Sequence, residues 1–76
     1  MTSAVLNIPE ISCDHCARTV TEALTPIEGV RHVRVDVPAQ QVHVEYDETR
    51  VGLERMKSVL EEEEYPVVSV EPAAAS

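Results

Sequence analysis

The 76-residue chain has no phenylalanine and no tryptophan, and two tyrosines are its only aromatic residues. Any core must therefore be built from Val, Leu, Ile and Met, and valine, which dominates that set, favours strands. Basic residues are scarce: six Lys and Arg stand against fourteen Asp and Glu, a formal net charge of -8. A surface of that sign repels phosphate backbones, so nucleic acid is not an expected partner; a basic protein patch or a cation is. No stretch approaches the roughly 18 apolar residues of a membrane span. The opening "MTSAVLNIP" lacks the basic segment and apolar run of a signal peptide. Two cysteines allow one disulfide at most, which excludes a densely stapled secreted mini-domain. The expectation is a soluble cytoplasmic protein with reduced thiols and no direct membrane insertion.

What is present is enough for a core. Hydrophobic residues make up 43% of the chain, too many for a disordered acidic tail. A chain this short buries only about 60% of its unfolded surface, so one thin core and one domain are expected over residues 1–76. That core should span about residues 4–71, with "EPAAAS" a flexible tail. The early methionine and the nonpolar "PAAAS" ending point to a stand-alone chain rather than a module of a longer transporter.

Periodicity supplies the elements. Residues 5–8 form a short apolar run closed by Pro9, a first strand. Ala17, Val20, Leu24 and Ile27 recur at three and four, with Arg18, Thr19, Glu22 and Thr25 opposite, which predicts an amphipathic helix ended by Pro26 and Gly29. From Val30 the period becomes two: Val33, Val35 and Val37 alternate with Arg34 and Asp36, and Val42, Val44 and Tyr46 repeat the pattern after "PAQQ". These read as a hairpin. Leu53, Met56, Val59 and Leu60 form the stripe of a second helix, and Val67, Val68 and Val70 a last short strand after Tyr65 and Pro66. The predicted order is β-α-β-β-α-β: a ferredoxin-like, α+β open-faced sandwich with a four-stranded antiparallel sheet and both helices on one face. Alternating strands suit a sheet with one covered and one wet face.

Chemistry concentrates in "ISCDHCARTV". Cys13 falls in the loop leaving the first strand and Cys16 in the first turn of the first helix. Free N–H groups and the positive helix end favour a thiolate there, so a thiol pKa should drop below its free value of about 8.5, most of all for Cys16. Ser12 or Asp14 can cap the helix. Two sulfurs without an obvious third ligand suit a soft ion of low coordination, Cu(I) first and Hg(II) as its chemical rival. Structural zinc wants four ligands. Asp14 or His15 can add a weak one for Zn(II) or Cd(II), while His32 and His43 fall on strands beyond reach. A thiol–disulfide redox pair uses the same placement, and an incidental role for the cysteines also stays open.

With these residues in view, the chain resembles the heavy-metal-associated domain family, small β-α-β-β-α-β domains with a G-M-x-C-x-x-C loop. The matching segment is "EISCDHC", with Ile11 in place of the methionine that packs beneath the loop and Glu10 in place of the glycine. The resemblance spans nearly the whole chain: "PIEGVRHVRVDVPAQQVHVEYD" retains Gly29, and "LEEEEYPV" carries Tyr65 where bacterial copper chaperones have a tyrosine, with Glu64 replacing a glycine. It implies Cys13 and Cys16 as metal ligands and Tyr65 as a screen or hydrogen-bond donor beside them. It implies a non-enzymatic carrier of Cu(I), or of another soft ion, that hands metal by thiolate exchange to a C-x-x-C domain of a copper-transporting P-type ATPase. A homodimer bridged by one metal ion is a further implied state. The acidic run at residues 61–64 reads either as a docking surface or as a solvated helix end.

Overall fold

The computed structural model describes residues 2–72. Its elements follow the expected order: β1 (Thr2–Asn7), α1 (Asp14–Leu24), β2 (Val30–Asp36), β3 (Gln41–Tyr46), α2 (Leu53–Glu62) and β4 (Ser69–Pro72). The strands form one antiparallel sheet in the order β2-β3-β1-β4. This is the ferredoxin-like sandwich, with both helices on one face.

Alternation decides which side chains meet the helices. Ala4 of β1 is opposite Val44 of β3, and Leu6 is opposite Val42; Val33 and Val35 of β2 continue the same two rows. Val20 and Leu24 of α1 and Met56 and Leu60 of α2 close over them, and all four are fully buried. Each such aliphatic side chain contributes about 1.5–3 kcal/mol by leaving water. The other sheet face carries His32, Arg34, His43 and Glu45 on β2 and β3, so both histidines lie on the side away from the helices. A register shift between Val30 and His32 disturbs the exposed edge β2, which makes that edge a poorer template for another strand.

Three boundaries differ from the periodicity. The first strand runs over Thr2–Asn7, and Ile8 has already left it; Ile8 donates its N–H to the Gln40 carbonyl at 2.9 Å and is buried in the loop. Ile27 lies beyond α1 in the turn, because Pro26 has no N–H with which to continue the helix. The last strand starts at Ser69 instead of including Val67 and Val68. Its partner β1 ends at Asn7, which pairs with Ser69 and accepts the Val68 N–H at 3.0 Å, so β1 does not continue beside Val67, and Val68 stays 66% exposed. Glu71 and Pro72, read from sequence as tail, pair through their backbone with Val5 and Ala4; the rest of the expected flexible tail lies outside the described residues.

This topology brings three connections to one end of the sheet. Because β1, β2 and α2 all run toward it, the loops 8–13, 37–40 and 63–68 gather around the start of α1. The opposite end holds Gly29 against the chain at Arg50 and Val51.

Candidate metal site

The loop before α1 is anchored at two points. Ile8 and Ile11 are both completely buried, and the Ile11 N–H donates to the Ile8 carbonyl at 3.1 Å. The exposed Pro9 and Glu10 bridge the two anchors. Ile11 is thus the apolar plug beneath the cysteines. Glu10 occupies its place without a left-handed backbone, so no glycine is required there.

Cys13 takes the position where α1 begins, with an extended backbone, and its carbonyl accepts the first helical hydrogen bond from Ala17 N–H at 3.1 Å. Neither Ser12 nor Asp14 caps the helix by a side-chain hydrogen bond, contrary to the sequence expectation. The cap position belongs to a thiol, and the first-turn N–H groups face the cysteine loop instead of a capping oxygen. Cys16 sits one turn on. The two thiols are free, with Sγ atoms 3.8 Å apart; Cys13 is exposed, while Cys16 is half-buried against the core.

The surroundings of Cys16 favour its charged form. Its thiol pKa is lowered from 9.0 to about 6, first by hydrogen bonding from the Tyr65 hydroxyl and next by the Ser12 backbone N–H. Burial opposes this, and the Cys13 thiol and the Ser12 hydroxyl, whose oxygen lies 3.9 Å from Cys16 Sγ, add to the lowering. The direction matches the expectation from the helix end, but the leading cause is a tyrosine 49 positions further along the chain. The same contact raises the Tyr65 pKa, first through its hydrogen bond to Cys16 and then through burial, so the hydroxyl keeps its proton and can donate it to the sulfur.

Tyr65 is brought toward Cys16 by the way α2 stops. Glu63 ends the helix, Glu64 turns left-handed at φ 69°, and Tyr65 N–H donates back to the Leu60 carbonyl at 2.8 Å while Glu64 N–H donates to Glu61 at 3.0 Å. That paired bonding closes a helix end through a left-handed residue, usually glycine. Glutamate does it here.

Sequence patterns gave no sign of Gln40. Its side-chain amide donates to the Pro9 carbonyl at 2.8 Å and the Ile11 carbonyl at 3.1 Å, on either side of Glu10. The contact spans about thirty residues, so no local spacing signals it.

No group of three or more His, Cys, Asp or Glu side chains that could hold a metal occurs among the described residues. Asp14 and His15, considered from sequence as weak additional ligands for Zn(II) or Cd(II), are exposed and do not join the thiols, because the two positions between the cysteines turn outward at the helix start. Chemically the site is a pair of converging sulfurs, one exposed enough to be reached and one half-buried, consistent with a soft metal ion. Among the described residues no helix is long and apolar enough to cross a membrane.

Comparison with known proteins agrees with this geometry. Residues 5–66 match the model of the heavy-metal-associated domain family. The chain is 43% identical over 67 residues to the copper chaperone CopZ of Staphylococcus haemolyticus strain JCSC1435, covering 88% of this chain and 98% of that protein. A solved CopZ metallochaperone superimposes with a TM-score of 0.85 at 37% identity, covering 88% of this chain and all of the other. The N-terminal domain of a potential copper-translocating P-type ATPase from Bacillus subtilis, solved in its Cu(I)-loaded state, superimposes with a TM-score of 0.81 at 26% identity over 95% of this chain and 88% of that one. The likeness to bacterial copper chaperones makes this a non-enzymatic protein. The chain belongs to the heavy-metal-associated domain family.

Proposed function

We propose that this chain is a cytoplasmic copper chaperone that carries Cu(I) between the thiolates of Cys13 and Cys16. The observation that carries this reading is the pair of free sulfurs 3.8 Å apart at an exposed loop, with no third protein ligand gathered beside them among the described residues. Such a pair under-coordinates zinc but satisfies a soft ion content with two sulfurs. The likeness to proteins named as copper chaperones supports the choice of copper.

The acceptor is a C-x-x-C domain of a copper-transporting P-type ATPase, a reading supported by the shared fold of such a domain. Transfer goes by exchange: an incoming thiolate of the acceptor forms one copper–sulfur bond, then one bond to the donor breaks, and the cycle repeats with the second pair. Copper keeps its oxidation state throughout, and no bare ion is released. Cys13 is the sulfur surrendered first, since it is the exposed one. Cys16 lets go last because it is half-buried against the core in the first turn of α1, where an incoming thiolate reaches it less readily. The excess of acidic residues steers the chain to a partner with a basic patch. A homodimer in which two copies share one ion through their paired cysteines is a second state open to the same site.

Competition against a Cu(I) chelator tests the proposal. The native protein is expected to retain one Cu(I) per chain, and Cys13→Ser and Cys16→Ser each to lose it. Tight Zn(II) or Hg(II) binding with indifferent Cu(I) binding overturns the choice of copper. Rapid thiol–disulfide turnover of a protein substrate overturns the carrier reading altogether.

A further inference from the structure

We infer that Gln40 is a positioning residue for the metal loop: its side-chain amide clamps the backbone on both sides of Glu10 and so holds Cys13 within reach of Cys16. This rests on the carrier reading above and extends it to a residue outside the C-x-x-C segment.

The clamp joins two connections that are otherwise independent. The Ile8 N–H donates to the Gln40 main-chain carbonyl at 2.9 Å, while the Gln40 Nε2 donates to Pro9 at 2.8 Å and to Ile11 at 3.1 Å. One residue of the β2–β3 turn thus fixes three successive points of the loop that ends at Cys13. Neither the Pro9 nor the Ile11 carbonyl accepts a backbone hydrogen bond among the described residues. Ile11 is completely buried, so without Gln40 its carbonyl must open toward water to find a donor. Opening there swings the segment that carries Ser12 and Cys13, while Cys16 stays fixed in α1.

Gln40 holds this post in a conformation that a side chain occupies at a cost. Its φ is +56°, and its own N–H donates to the Val37 carbonyl at 3.1 Å in a tight turn. Glycine would fit that backbone more easily, but glycine has no amide to donate. The left-handed turn points the side chain across to the loop, and the two hydrogen bonds offset the strain.

Three variants separate clamp, turn and charge. Gln40→Glu keeps the shape but replaces both donated bonds with a carboxylate against two carbonyls. Gln40→Gly relieves the turn while removing the amide. Gln41→Glu places the same new charge next door, on a side chain that reaches Asn7 on the sheet instead of the loop. Two readouts are taken on each: amide hydrogen exchange at Ile8 and Ile11 in the reduced metal-free protein, and Cu(I) retention against a chelator.

Both Gln40 variants are expected to exchange Ile11 about three- to tenfold faster and to hold Cu(I) about three- to tenfold more weakly, the scale of one neutral hydrogen bond lost from a pre-formed site. The Ile8 amide in Gln40→Gly, whose partner is main chain, and both readouts in Gln41→Glu should match the native protein. Should Gln40→Glu fail to fold, Gln40→Gly decides alone. Native exchange at Ile11 and native copper retention in Gln40→Gly overturn the inference. If the native protein itself holds no Cu(I), the carrier reading fails, and the Ile11 exchange rate still decides whether Gln40 clamps the loop.

Discussion

At the end of the molecule that carries the cysteines, the chain makes its left-handed turns with Gln40 and Glu64; at the opposite end it makes one with Gly29. The far-end glycine answers a packing demand. A Cβ on it would lie 2.9 Å from Arg50 Cβ and 2.9 Å from Val51 Cγ1, and Gly29 O accepts the Asp47 N–H at 2.7 Å. The two left-handed residues near the site have side chains, at a cost of about 1–2 kcal/mol each relative to an unstrained backbone. Gln40 returns that cost through its hydrogen bonds to the metal loop. Glu64 makes no side-chain hydrogen bond or ion pair among those found in the described residues, but the turn it makes delivers Tyr65 to Cys16. Backbone strain thus accompanies function at one end, and glycine accompanies packing at the other.

The largest effect should come from the far end. Gly29→Ala meets both an unfavourable φ and two close contacts, and should destabilise the fold by roughly 2–4 kcal/mol in urea unfolding. Folded variant protein should retain Cu(I) normally, because the site is at the other end. Loss of copper binding by folded Gly29→Ala would erase the division between the two ends.

Next comes Tyr65→Phe, which removes the leading cause of the lowered Cys16 pKa. The pH profile of Cys16 alkylation, read in Cys13→Ser, should show a lowered midpoint that climbs toward the ordinary thiol range when Tyr65 is replaced. The sign for stability follows. A thiol titrating near 6 when folded and near 9.0 when unfolded stabilises the reduced, metal-free fold fully above about 9. That contribution shrinks as pH falls and is gone below about 6. Tyr65→Phe should flatten this dependence. An unchanged alkylation midpoint would mean that the tyrosine does not act on the sulfur.

The smallest effect is a gain. Glu64→Gly removes the left-handed cost while freeing the unfolded chain slightly, and should stabilise by about 1 kcal/mol or less. Cys16 alkylation should keep its midpoint, since the turn that aims Tyr65 survives. A thermal melt that falls instead would show that the Glu64 side chain makes a contribution its exposed position does not reveal.

Much of this architecture was legible in the residues because period and burial are tied directly. The two-residue alternation of Val42, Val44 and Tyr46 and the three-four spacing of Val20 and Leu24 mark the faces that are in fact buried. The pair Cys13 and Cys16 was visible because its spacing is local. Boundaries were less so: nothing in Val67 and Val68 says that the partner strand has already ended at Asn7. The capping role given to Ser12 and Asp14 failed because the cap position falls on Cys13 itself. Gln40 was hidden for a different reason, since polar residues in a turn normally face water and only the folded chain brings residue 40 to residues 9 and 11. Tyr65 was suggested only by family resemblance, and the backbone that aims it runs through a glutamate where glycine is the usual choice.

X-ray absorption at the copper edge, on monomeric protein loaded with one Cu(I) per chain, tests the central claim most directly. The account predicts two sulfur neighbours and no nitrogen or oxygen ligand from the protein, with the signal lost in Cys16→Ser. A coordination shell containing histidine nitrogen, or an unaltered shell after either cysteine is replaced, would contradict it.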